Sequence, residues 1–332
     1  MSDQLLPIPD VPSGLREAAQ LGTLIPFIGA GVSRLAGCPG WAEFADGALQ
    51  SLINQGKLTY SQLDQIRHLN PRVKLSLART LEGENGITIN YRALLHPHEP
   101  HEEKQGCRLY NSLFKLGKIF VTTNYDEWLD QQIPEPGFSA SPTSAPVKAA
   151  TVTPMRVIYK VEEFLPSVLS KPNTVVHLHG SVREPKEMVL TTHNYVEHYA
   201  NDRLSLGGKE NRVLTFLEHL FEQKTVLFIG YGLEELEILE YVILKARRPP
   251  GATVKETRHY LLQGFFSHQD ALRHTLKSYY LSECGIELIP FLLDDKNWEQ
   301  LLDVLEQFAQ RIPASAPMVL KKAQEMEDLL NG

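Results

Sequence analysis

Cysteine is scarce in this 332-residue sequence. Cys38, Cys107 and Cys284 lie far apart, with no Cys-x-x-Cys pair and no His/Cys cluster at zinc-ligand spacing. A disulfide framework and a structural zinc site are therefore not expected. Long apolar runs are missing as well. No stretch reaches the roughly 18 residues that mark a membrane helix, and the opening MSDQLLPIPD has neither the basic start nor the apolar core of a signal peptide. The expected setting is cytoplasmic, with no membrane partner. Basic charge is in deficit: 33 Lys and Arg face 40 Asp and Glu, for a net charge of -7. That balance argues against the basic footprint of a nucleic-acid binder. Internal repeats and extended low-complexity tracts are absent from the sequence.

What is present is apolar residue in quantity, 42% of the chain, enough to bury a large core. Short β-branched runs recur between turn signals: TLIPFIG (23–29), KIFVTT (118–123), RVIY (156–159), TVVHLHG (174–180), TVLFIG (225–230), HYLLQ (259–263) and IELIPFLL (286–293). Each reads as a buried strand. Segments of helical spacing lie among them, such as NRVLTFLEHLFEQ (211–223), LEELEILEYVILKA (233–246), HQDALRHTLKSYYLSE (268–283) and NWEQLLDVLEQFAQ (297–310). The alternation predicts an α/β fold, Rossmann-like and doubly wound, whose mostly parallel sheet is covered on both faces.

The first two strands are separated by the interval from about 30 to 117, filled by helical patterns such as WAEFADGALQSLINQ. An inserted helical subdomain at about 45–117 is the simplest account. The stretch PEPGFSASPTSAPVKAATVTP (134–154), rich in Pro, Ser and Ala, reads as a surface loop of the kind that serves as a lid. The expected division is one domain over 1–312 and a C-terminal segment, 313–332. That segment reads as a linker and a short amphipathic helix able to dock on this chain or on a partner.

Residues 27–41 read FIGAGVSRLAGCPGW. Gly29 and Gly31 close a strand, and Ser33 puts a hydroxyl at the start of the next helix. Glycines admit a pyrophosphate to the backbone and a helix N-terminus favours its charge, so this is the composition of a phosphate cradle. A tight turn without a ligand has the same composition. The dehydrogenase fingerprint Gly-x-Gly-x-x-Gly fails, because Arg34 holds the third glycine position. Arg34 would pair either with a phosphate or with an acidic neighbour on its helix. Trp41 either walls a pocket or anchors the inserted helices.

Three further strand ends agree with the glycine turn. VTTNYDEWLD (121–130) brings Thr122, Thr123, Asn124 and Asp126 to the carboxyl edge where doubly wound sheets bind ligands. VVHLHGSV (175–182) brings His179 before Gly180, and LFIGYGLEE (227–235) brings Gly230, Tyr231 and Gly232. Asn124 and Asp126 have a second reading, as caps of a helix beginning near Tyr125. His177 and His179 share a strand face; His177 reads as the core residue and His179, beside the Gly180 turn, as the exposed one. Gly230 and Gly232 read equally as a structural turn or as a ribose or phosphate contact.

The ordered set GAGVS (29–33), TTNYD (122–126), LHG (178–180) and GYG (230–232) resembles the sirtuin superfamily over roughly residues 20–310. Departures narrow the resemblance. Protein-deacylating sirtuins share a four-cysteine zinc module that three cysteines cannot form. They carry Pro-Asp-Phe-Arg where this chain has CPGWAEF (38–44), and Gln-Asn-Ile-Asp where it has Thr-Asn-Tyr-Asp. GCPGW, TNYD and HLHG are instead similar to the zinc-free sirtuin-like NADases of bacterial anti-phage defence.

That resemblance implies NAD+ as substrate, no zinc, and hydrolysis of the nicotinamide–ribose bond to nicotinamide and ADP-ribose. Such a cleavage builds positive charge on the ribose, and a carboxylate, neutral amides and an imidazole suit it. Asn124 is expected to position water and ribose, Asp126 to bond the nicotinamide carboxamide, and His179 to act as a polarising base with its pKa near operating pH. Gly29, Ala30, Gly31 and Ser33 are expected on the pyrophosphate, with Arg34 and Thr123 as further nucleotide contacts and Gly230 and Tyr231 on the adenosine side. An enzyme that destroys NAD needs restraint, so a regulatory or sensor protein partner, a homo-oligomer, or both are expected. The rival readings are a non-catalytic NAD or ADP-ribose sensor, an NAD-dependent protein deacylase, and a dehydrogenase disfavoured by Arg34 and by the lack of an acidic ribose ligand.

Overall fold

The computed structural model describes residues 4–96, 104–132, 153–200, 211–231 and 259–312. Seven runs expected as strands form one sheet: β1 (Leu24–Ile28), β2 (Ile119–Thr122), β5 (Arg156–Ile158), β6 (Thr174–His177), β7 (Thr225–Ile229), β8 (His259–Phe265) and β9 (Ile286–Leu292). A two-stranded ribbon, β3 (Gln131–Gln132) with β4 (Thr153–Pro154), stands apart. The helices are α1 (Ser13–Gln20), α2 (Ala30–Leu35), α3 (Trp41–Asn54), α4 (Tyr60–Ile66), α5 (Pro71–Asn85), α6 (Tyr91–Leu95), α7 (Lys104–Leu116), α8 (Thr192–His198), α9 (Arg212–Gln223), α10 (Asp270–Tyr279) and α11 (Gln300–Arg311). The helix expected at 233–246, Gly232, the C-terminal segment and nearly all of the 134–154 loop lie outside the described residues.

The strand order is β5-β6-β2-β1-β7-β8-β9, and every pairing within this sheet is parallel. Alternation along β1 sends Leu24 and Ile28 to one core, with α1, α7 and α11, and Ile25 and Phe27 to the other, with α9. A sheet buried on both faces needs continuous apolar strands, and all five residues of β1 are buried. Pro26 is tolerated in this central strand because the β2 ladder begins one residue later, at Phe27. Gly117 makes room for the proline ring: a Cβ there would lie 2.8 Å from Pro26 Cδ.

The chain runs from β1 outward to β2, β5 and β6 on one side, then returns to β7, β8 and β9 on the other. That reversal makes the β1–β7 boundary the switch point where open α/β sheets form a crevice at their carboxyl ends.

Between β1 and β2 the chain is helical. Helices α3, α5 and α6 share a third core of Phe44, Ala48, Leu49, Leu52, Leu75, Ala78, Tyr91 and Leu95. Tyr125, Val182, Met188 and Leu190 belong to this core as well, so the helices sit on the segments that follow β2 and β6. Helix α5 has matched ends: Asn70 accepts the Arg72 N–H, Pro71 opens the first turn, and Gly86 closes it in the left-handed region. Among the described residues no helix is long and apolar enough to cross a membrane.

Candidate functional site

The glycine turn is tied to the neighbouring strand. Gly29 and Gly31 donate their N–H groups to the carbonyls of Ile229 and Gly230, each at 2.8 Å. A Cβ on Gly31 would lie 2.8 Å from the Gly230 carbonyl oxygen, and one on Gly230 would lie 2.6 Å from the Val32 nitrogen. Gly230 also has φ +71, open to glycine at little cost. These glycines let two backbones touch at the switch point, and two of the turn's amides are thereby committed to β7. Ala30 and Ser33 line the cavity beside the turn, whereas Gly29, Gly31 and Gly230 form its support.

Ser33 is the centre of a buried polar network joining β1 and β2. Its hydroxyl donates to Asp126 Oδ2 at 2.6 Å and accepts from Asn124 Nδ2 at 2.7 Å. The same Asn124 amide nitrogen donates to the Gly29 carbonyl at 3.0 Å. Tyr110, from α7, places its hydroxyl 3.3 Å from Ser33 Oγ. Upstream, Asn124 N–H donates to Thr122 Oγ1, which donates to the Ile28 carbonyl. No helix begins near Tyr125, so the helix-cap reading fails. Asp126 Oδ1 instead accepts the Trp128 N–H at 3.1 Å in a local turn.

The two histidines take different places, but both are buried, so His179 is not the exposed residue its turn suggests. His177 is buried in full, its Nδ1–H donating to the Asn124 carbonyl and its Nε2 facing Asp130 Oδ1, both at 2.8 Å. Burial opposes a charge on this ring, but Asp130 and the Asn124 carbonyl outweigh it and raise the pKa. His179 lines the cavity and shares a 2.7 Å hydrogen bond with the Tyr199 hydroxyl. Burial, followed by the charges of His198 and Arg72, holds its pKa well below the usual histidine range. The ring is therefore neutral at pH 7, rather than titrating near operating pH.

Thr123 Oγ1 lies 3.2 Å from the Tyr231 hydroxyl across the β2–β7 mouth, and both residues line the cavity. Trp41 lines it too, half-buried and stacked on Tyr125 with centroids 5.8 Å apart. It thus walls the pocket and also packs on Phe44 of the helical core. Arg34 is not among the residues that line the cavity. It is exposed and turned toward Gly40, because the helical period that points Ser33 inward carries the next residue away from the crevice. Among the described residues no group of three or more His, Cys, Asp or Glu side chains could hold a metal ion. Cys38 and Cys107 lie in the core on one sheet face and Cys284 in the core on the other.

A family described as SIR2-like domain matches residues 118–289, just over half of the chain and the stretch that carries Asn124, Asp126, His179 and Gly230. The chain belongs to the SIR2-like family. It is also similar to Defense-associated sirtuin 2 of Bacillus subtilis, with 23% identity over 228 residues, or 68% of this chain. That alignment takes in 19% of the relative, so the chain spans about a fifth of the length of the curated protein it matches.

Within this SIR2-like fold several site residues escape a reading of the sequence. Tyr110 comes from α7, Arg72 from α5, and Tyr195 and Tyr199 from α8 and its end. Rings at helical spacing read as core, and no local motif marks them. Their convergence on Ser33 and His179 is a product of packing. Arg72, Tyr195 and Tyr199 line the cavity itself, together with other aromatic rings and with amide, hydroxyl and carboxylate groups, whereas Tyr110 stands behind Ser33.

Proposed function

We propose that this chain is an NAD+ hydrolase that cleaves the nicotinamide–ribose bond. The observation that carries the reading is the buried Asn124–Ser33–Asp126 network opening on the same cavity as neutral His179, at the switch point of the sheet. Asn124 Nδ2 is held by Gly29 and Ser33, which leaves Oδ1 to accept from a water or a sugar hydroxyl. Asp126 keeps lone pairs for an amide donor, and neutral His179 can take a proton from a ribose hydroxyl or water. Ala30, Ser33, Thr123 and Tyr231 would hold the rest of the nucleotide. Bound NAD+ supplies the glycosidic bond whose cleavage places positive charge on the ribose. The relative's name motivates the biological setting: an NAD-depleting activity in defence, held inactive until triggered, with a regulatory protein partner or a homo-oligomer supplying the restraint.

The test is incubation of the purified chain with NAD+ at several protein concentrations, with products read by mass spectrometry. Nicotinamide and ADP-ribose are expected, and both Asn124→Ala and His179→Ala should abolish their release while the folded fraction is unchanged. Full activity in either folded variant would sink the assignment. Tight NAD+ binding with no turnover under any condition would favour the sensor reading.

A further inference from the structure

Charged side chains are few in this cavity. Among the described residues that line it they are Asp126 and Arg72. Asp126 is engaged by Ser33 and by the Trp128 N–H. Arg72 lies half-buried with its guanidinium 3.9 Å from the centroid of the Tyr195 ring, and no carboxylate among the described residues pairs with it. Desolvating a cation without a counter-charge costs free energy, and a planar guanidinium fork matches a phosphate in both geometry and charge.

Position and helix direction add to this. Arg72 stands in the first turn of the 15-residue α5, where the N-terminus contributes further partial positive charge. The Tyr195 ring that it contacts lies 5.6 Å, centroid to centroid, from His179, which places the guanidinium on the His179 side of the cavity. The glycine turn, meanwhile, has committed the amides of Gly29 and Gly31 to β7, so it has fewer donors left with which to neutralise a pyrophosphate.

We infer that Arg72, contributed by the helical module, is an anion-binding and specificity-determining residue of this cavity, and that it takes a phosphate group of the nucleotide. The inference rests on reading the cavity as the nucleotide site, but not on turnover there. The cation–π contact with Tyr195 restrains the guanidinium, so that its fork meets the ligand with less side-chain freedom to lose.

Calorimetric titration of ADP-ribose into the full chain tests this directly. Arg72→Met should weaken binding about ten- to hundred-fold, the range expected for loss of charge-assisted bonds. Arg72→Lys, which keeps the charge without the fork, should recover part of the loss. In the unaltered chain the Arg72 Nε–H signal, assigned by its absence from Arg72→Lys, should shift in the NMR spectrum on addition of ADP-ribose. Equal affinity in wild type and a folded Arg72→Met, or an unmoved Nε–H signal at saturating ADP-ribose, overturns the proposal. So does a wild-type chain that binds no ADP-ribose. Binding through Arg72 in a chain that leaves NAD+ intact under every condition would uphold the subsite and favour the sensor reading over the hydrolase.

Discussion

Ser33→Ala is the sharpest probe of the site, because one hydroxyl satisfies three buried neighbours. Ser33 is 5% exposed, so water does not replace what is removed. The substitution leaves Asp126 Oδ2 without its 2.6 Å donor, takes one of two acceptors from Asn124 Nδ2, and strips the Tyr110 hydroxyl of the group it faces. A hydrogen bond to a charged group contributes about 1.5–3 kcal/mol and a neutral one about 1 kcal/mol. The expected loss is therefore about 3 kcal/mol, or a fall of about 6 °C in melting temperature at about 2 °C per kcal/mol for a chain of this size. Circular dichroism melting of wild type, Ser33→Ala, Asp126→Asn and the double variant would measure it as a cycle. Coupling of about 1.5 kcal/mol or more is expected between the two sites. Additive losses to within about 0.5 kcal/mol, or a melting point unchanged in Ser33→Ala, would show that the hydroxyl does not organise the network.

The remaining predictions concern the backbone contact and pH. Gly230→Ala should destabilise far more than Gly22→Ala, though both glycines have positive φ, because a Cβ at Gly230 meets Val32 at 2.6 Å while one at Gly22 meets nothing within 4 Å. Both carry the strain of about 1 kcal/mol for a left-handed residue, and similar melting temperatures for the two variants would refute the steric argument. His198 is pulled down to about 4 by burial. The unfolded chain takes up this proton near pH 6.5 and the folded chain does not, so stability should fall as pH drops from about 6.5 toward 4. Urea midpoints for wild type and His198→Gln across that window should show a shallower decline in the variant, and parallel curves would contradict it.

The sequence alone determined the strands, because a sheet covered on both faces demands short, continuous β-branched runs, and that pattern is written locally in TLIPFIG or TVLFIG. It also determined that polar groups stand at the ends of β1, β2 and β6, since strand ends in doubly wound sheets share one edge. Tertiary structure decided what those groups do. Ser33 meets Asp126 across 93 positions of chain, so no window of sequence displays the pair. The committed amides of Gly29 and Gly31 depend on how closely β7 approaches, and the outward turn of Arg34 depends on the phase of α2. The pKa of His179 is held down by burial first, then by His198 from α8 and Arg72 from α5, groups that stand far apart in the sequence. Strand identity is a property of neighbours in the chain, whereas burial, pairing and charge at a site are set by residues that only folding brings together.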